Sequence, residues 1–168
     1  MNQQKDTIAS LLQQCLSQNA DLIEVDSFPS QVLCIRNQVQ FTERVEEMMP
    51  EGRLSELRNG LISVCQRLSS FKVSMDAHVS GLKIKALVLD MIHQRDVVDE
   101  LIKDGRRNTS AWVWNRQLRY YAATARQDCC VQICTAEYDY AFEYQGNQVS
   151  KVDPDAFAFL KTAKVVFY

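Results

Sequence analysis

The chain has 168 residues, 46% hydrophobic and 24% charged, which is enough for one buried core and excludes bulk disorder. Its formal charge of −2 excludes binding driven by a large global charge, but that charge is spread unevenly. Residues 103–126 hold six basic side chains against Asp104 alone, a local +5 set against about −7 elsewhere, so this window is either a contact surface or a set of solvated helix ends.

The apolar runs at 86–89 and 156–160 stop at Asp90 and Lys161, too short to span a bilayer. The first six residues lack the charged-then-apolar pattern of a secretory signal. Without an export signal, Cys15, Cys34, Cys65, Cys129, Cys130 and Cys134 read as reduced, mostly buried thiols of a cytosolic protein.

Helical spacing dominates the first 120 residues. Ile8, Leu11, Leu12, Cys15 and Leu16 form one amphipathic stripe, followed by breakers around Asn19 and Asp26. A second helix is expected to start near Ser27 or Pro29 and to end at Pro50-Glu-Gly52, with Val32, Ile35, Val39, Phe41, Val45 and Met48 inward. Leu54, Leu57, Leu61, Val64, Cys65 and Leu68 mark a third. The fourth and longest runs from about Met75 or Leu82 to Ile102 and stops at Lys103-Asp-Gly-Arg-Arg107, a glycine C-cap with cations on the helix dipole. Thr109 or Ser110 then caps a short fifth helix expected to reach Tyr121.

After Arg126 the period falls from 3.6 to 2. Cys129 to Thr135 and Tyr138 to Tyr144 read as a β-hairpin turning at Ala136-Glu137, with Gln145-Gly-Asn147 closing the second strand. The expected fold is mainly α: an elongated bundle of about five helices, a β-hairpin and a divergent tail. It divides into a helical segment at 1–127, the hairpin at 128–147 and the tail at 148–168.

Catalytic chemistry finds little support. Cys129, Cys130 and Cys134 lack the paired spacing of a zinc site, and neither His78 nor His93 has a ligand partner nearby. His93, three residues after Asp90 in mid-helix, reads as a satisfied helix histidine rather than a base. The five glycines are isolated, so no phosphate-cradling loop is present. The expectation is no enzyme activity, no cofactor and no small-molecule substrate. The aromatic, basic stretch Trp112-Val-Trp-Asn-Arg-Gln-Leu-Arg-Tyr-Tyr121 is the remaining question. Trp114, Leu118 and Tyr121 would make a packing stripe, and Trp112, Arg116 and Tyr120 a neighbouring one with arginine stacked on a ring. Nucleic acid is one partner such a footprint suits, an acidic protein neighbour another; the mild global charge and lack of a nucleic-acid motif favour the neighbour. The candidate interaction surface is Arg106, Arg107, Trp112, Arg116, Arg119 and Tyr120.

Several motifs, in order, resemble the dynein heavy-chain family. Phe28-Pro-Ser-Gln-Val-Leu-Cys-Ile35 and Gln40-Phe-Thr-Glu43 are similar to a proline-started helix of its linker, and Leu82 to His93 with Asp96-Val-Val98 to its long helix. Trp112 through Tyr121 is similar to the Trp-x-x-Gln-Leu-Arg-Tyr-Tyr signature closing that linker. Cys129-Cys-Val-Gln132 and Tyr144-Gln-Gly-Asn147 are similar to strands that begin the first AAA+ module. The double cysteine and the glutamine lie closest to the cytoplasmic dynein 2, or intraflagellar-transport, branch. The resemblance covers residues 8–147 and implies a mechanical role, as an arched helical lever that bends and straightens across an AAA+ ring in a minus-end-directed microtubule motor. It implies AAA+ modules or other dynein subunits as partners, no nucleic acid or membrane, and a place in the cytoplasm, cytoskeleton or cilium. From Gln148 the family pattern stops before any Walker A loop, so a truncated gene model, splice product or partial duplicate is expected. The alternative is a free-standing helical module binding an acidic partner through Arg106, Arg107, Arg116 and Arg119.

Overall fold

A computed structural model of the chain describes residues 2–18, 25, 27–70, 78–123 and 128–140. Among these described residues five helices precede three strands: α1 Asn2–Ser17, α2 Ser30–Glu51, α3 Leu54–Ser69, α4 His78–Asp104, α5 Trp112–Asn115, β1 Arg119–Ala123, β2 Asp128–Ile133 and β3 Ala136–Asp139. The strands form one antiparallel sheet in the order β1-β2-β3.

Local signals set the helix boundaries. Pro29 sits at the N-cap of α2 with extended backbone, and Leu33 N–H closes the first turn on its carbonyl. The helix passes through Pro50 and stops at Gly52, whose φ of 73° is the left-handed region that glycine adopts without strain. Gly52 N–H reaches Met49 O, and Arg53 N–H reaches Met48 O, the paired closure of a Schellman motif. At the far end of α4, Gly105 (φ 70°) closes the helix with a single bond from its N–H to Leu101 O, the simpler left-handed cap. With 27 residues, α4 spans ~40 Å.

Two apolar clusters make the core, and α2 and α4 run through both. Ala9, Leu12 and Cys15 of α1 meet Phe28, Val32, Ile35 and Val39 at the start of α2, with Leu87 of α4 and Cys129 of β2. Phe41, Val45 and Met49 from the rest of α2 meet Leu57 and Leu61 of α3, Val98 and Leu101 of α4, and Trp114 of α5. The sheet is thus laid on α2, not hung from the end of the bundle.

Two expectations are corrected. The fifth helix does not reach Tyr121; it lasts one turn, and Arg119–Ala123 is a strand. The 114/118/121 spacing fits a helix, but Arg119-Tyr-Tyr-Ala-Ala alternates equally well. A distant partner decides the matter, pairing Tyr120 with Val131 and Tyr121 with Cys130. One strand from the 1–127 segment therefore completes the sheet begun at 128. The β2–β3 turn sits at Cys134-Thr135, two residues before the expected Ala136-Glu137. Cys134 takes a φ of 52° without glycine because its N–H is tied to Asn115 O at 2.7 Å and its carbonyl accepts from Arg119 Nη2 at 3.0 Å. The expected strand end at Gln145-Gly-Asn147 and the tail lie outside the described residues.

The glycine at the α2 cap permits a paired test. A Cβ on Gly52 would lie 2.8 Å from Arg107 Cζ at a left-handed φ, whereas one on Gly60, within α3, would meet nothing within 4 Å. Gly52→Ala is expected to lower unfolding free energy by about 1–2 kcal/mol. Gly60→Ala is expected to raise it by about 0.5–1 kcal/mol. Urea denaturation of both variants checks the opposite signs.

Candidate functional site: the helix–sheet junction

The aromatic, basic stretch sits where the bundle hands over to the sheet, and its side chains mostly turn inward. Trp114 is fully buried, edge-on to Phe41 of α2 with ring centroids 5.9 Å apart and planes at 71°. Its indole Nε1–H donates to Glu46 Oε1 at 3.2 Å. The hydroxyl of Tyr121, on β1, donates to the same oxygen at 2.6 Å. One carboxyl oxygen on α2 thereby clamps both α5 and β1. One turn earlier, Thr42 Oγ1 accepts from Tyr120 N–H at 3.1 Å and donates to Gln38 O at 3.0 Å, fixing the start of β1 against α2.

Further ties close the junction. Arg116 pairs with Glu100, joining the end of α5 to α4. Tyr120 stacks at a tilt on Tyr140, centroids 6.2 Å apart, and Gln31 Nε2 of α2 donates to the Tyr140 hydroxyl at 3.3 Å. Tyr140 N–H donates to Cys129 O at 2.7 Å, so the last described residue is anchored too.

Of the six candidate surface residues, only Arg106 and Trp112 face solvent without covering another element; Arg106 stands 3.7 Å from Asp104. The Arg107 guanidinium lies over Gly52, beside the carbonyl end of α2, where a cation complements the helix dipole. Arg116 is half-exposed in its ion pair, Arg119 is buried against the Cys134 carbonyl, and Tyr120 is half-buried. The structure does not bring the six into one free surface. Sequence reasoning missed Glu46 and Thr42. The usable signal was their i, i+4 spacing on α2 flanking the inward Val45, with aromatics bearing donors elsewhere in the chain.

The electrostatics suit a structural clamp. Burial, and then the bond to Glu46, push the Tyr121 hydroxyl up to about 12, while Arg119 pulls the other way. Burial, then the neighbouring Cys130, push the Cys129 thiol up to about 11, the behaviour of a packed thiol rather than of an activated nucleophile. Among the described residues no group of three or more His, Cys, Asp or Glu could hold a metal ion, and no helix is long and apolar enough to cross a membrane.

No family model matches the chain. Individual proteins do. Cytoplasmic dynein 2 heavy chain 1 of Homo sapiens is 34% identical over 152 residues, covering 85% of this chain and 4% of the relative. The Chlamydomonas reinhardtii protein of that name is 38% identical over 127 residues, 73% of this chain and 3% of the relative. Dynein axonemal heavy chain 2 of Mus musculus is 31% identical over 124 residues, with the same coverage. The chain spans only about one twenty-fifth of the length of the dynein 2 relatives it matches.

The clamp makes two predictions. Glu46→Ala strands two donors at once and is expected to cost about 2–4 kcal/mol, against a much smaller loss for Glu46→Gln, whose amide oxygen still accepts both; chemical denaturation separates them. The second concerns alkaline pH. Folded Tyr121 holds its proton to about 12, whereas the unfolded chain releases it near 10. Between those values the folded state binds more protons, so stability falls as pH rises. Tyr121→Phe is expected to remove part of that fall, read from urea midpoints across the same window.

Proposed function

Because the chain belongs to the dynein heavy-chain family over the stretch it shares with its relatives, we propose that it works as a mechanical element, the closing part of a motor's linker, without a catalytic site of its own. The observation that carries this reading is the shared Glu46 oxygen. It locks the last helix of the bundle and the first strand of the sheet onto α2, so displacement of one part is passed to the other. A lever needs such a joint, because close-packed interiors and short bonds resist deformation where a flexible linker absorbs it.

The inward turn of the basic window supports the same reading. Arg107, Arg116 and Arg119, three of the four arginines that would grip an acidic partner, contact this chain's own helices and turn. On this reading the partners are AAA+ modules or other parts of a dynein, the action is motion toward the microtubule minus end, and the setting is the cytoplasm and the cilium. The names of the relatives support the dynein part of that statement, and the helix–sheet joint supports the lever part.

The test is a graft. Residues 8–140 of this chain replace the aligned stretch of a dynein 2 heavy chain, and microtubule gliding is measured beside ATP turnover. The graft is expected to glide, and Glu46→Ala within it to slow gliding while turnover persists, the signature of a loosened lever. Gliding and turnover unchanged by Glu46→Ala would contradict the reading. So would ATP hydrolysis by this chain purified alone.

A further inference from the structure

Gln94, on α4, is 1% exposed, and neither its amide oxygen nor its amide nitrogen has a hydrogen-bond partner among the described residues. The Nδ2 of Asn37, on α2, is buried and has none either. Folded proteins pair their buried polar atoms almost without exception, so three orphans between two long helices call for an explanation.

Packing brings the three atoms into one layer. The two helices run parallel. Lys83 Nζ, near the start of α4, donates to the carbonyls of Val25 and Phe28 just before α2, at 3.0 and 2.8 Å, and past the far ends Arg107 lies over Gly52. Between those ties, Asn37 and the Cys34 thiol face the Asp90 carboxyl across the seam. Gln94 follows Asp90 by one turn, ~6 Å along the axis and on the same side of the helix. The layer falls where the apolar core changes over. On α2 the first cluster ends at Val39 and the second begins at Phe41, and on α4 the change lies between Leu87 and Met91.

The mix of donors and acceptors names the ligand. Asn37 Nδ2 and Gln94 Nε2 only donate, which turns away a metal cation. Gln94 Oε1 and the Asp90 carboxyl accept, which turns away an anion. Water does both, and it bridges groups ~5–6 Å apart with two bonds of ~2.8 Å, close to the one-turn step from Asp90 to Gln94. The layer also has a way in, because Asn37, Asp90 and the neighbouring Tyr120 are each half-buried.

We infer that the seam between α2 and α4 is a water-binding site. One molecule accepts from Asn37 Nδ2 and donates to Gln94 Oε1 and to the Asp90 carboxyl, and a second accepts from Gln94 Nε2. These waters turn an unpaired layer into a bonded one and divide the core into two dry halves. At this level α2 and α4 are joined through solvent rather than by apolar contact.

Water-to-protein cross-relaxation on the intact, nitrogen-15-labelled chain tests the site. A long-held water gives Overhauser cross-peaks of opposite sign in the laboratory and rotating frames, which chemical exchange with solvent does not. The side-chain amide protons of Gln94 and Asn37, assigned through bonds to their own backbones, are expected to show such peaks at the water frequency. In Gln94→Met, which keeps the length and removes both polar atoms, the Asn37 peak is expected to be lost. No water peak at the Gln94 amide of the parent chain overturns the inference, and that spectrum decides even where the variant fails to fold. An Asn37 peak unchanged in Gln94→Met also overturns it, by assigning that water to Asn37 alone.

Discussion

A single carboxyl oxygen, Glu46 Oε1, receives both the indole N–H of Trp114 and the hydroxyl of Tyr121, and the placement of α5 and β1 follows from it. Trp114 is wholly buried within an apolar cluster, where a donor left unpaired costs about 1–3 kcal/mol. Trp114 is too large to move without opening a cavity, so its ring sets where α5 stops. With α5 halted after one turn, the chain leaves toward α2 as a strand. Thr42 then meets the Tyr120 N–H, and the sheet has its first edge. The order of dependence runs from one acid on α2, through two aromatic donors, to the sheet.

That dependence makes α2 and α4 the members along which load would travel. Each contributes to both apolar clusters, so neither cluster can shift along the bundle without dragging the same two rods. α1 touches only the first cluster and α3 mainly the second. The Schellman closure at Gly52 ties α3 to the end of α2 with almost no connecting chain, so α3 buttresses α2. A bundle arranged in this way is stiff along α2 and joined along that helix to a sheet by short polar bonds. The proposed lever needs those two properties, and they arise from different residues.

The legible parts of the chain were those decided by neighbours in sequence. The limits of α2 and α4 follow from Pro29, Gly52 and Gly105, and the first four helices follow from their apolar stripes. The illegible parts were decided by contacts far away in sequence. Arg119-Tyr-Tyr-Ala-Ala carries both periodicities, and only Cys130 and Val131, ten residues on, make it a strand. Cys134 has no turn signature of its own; Asn115 and Arg119 impose the left-handed backbone from outside. The site was half legible for the same reason. Trp114 and Tyr121 stood out as unusual residues, but Glu46 is an ordinary acid on the flank of an inward stripe, and 68 residues separate it from Trp114.

The charge asymmetry takes on a different meaning once these contacts are known. A window of +5 in a chain of −2 suggests a surface offered to something else. Here the cations meet carbonyls and carboxylates of the same chain, each at an element's end: Arg107 at the close of α2, Arg116 from α5 to α4, Arg119 at the β2–β3 turn. An exposed pair such as Arg116–Glu100 adds little stability by itself. Set around a core that already fixes the geometry, however, Arg107 and Arg116 hold the stretch between α4 and β1 against the two long helices, and Arg119 holds the β2–β3 turn to β1. Clustered charge in this window therefore closes contacts within the chain, and the one carboxylate among these three partners, Glu100, lies on α4.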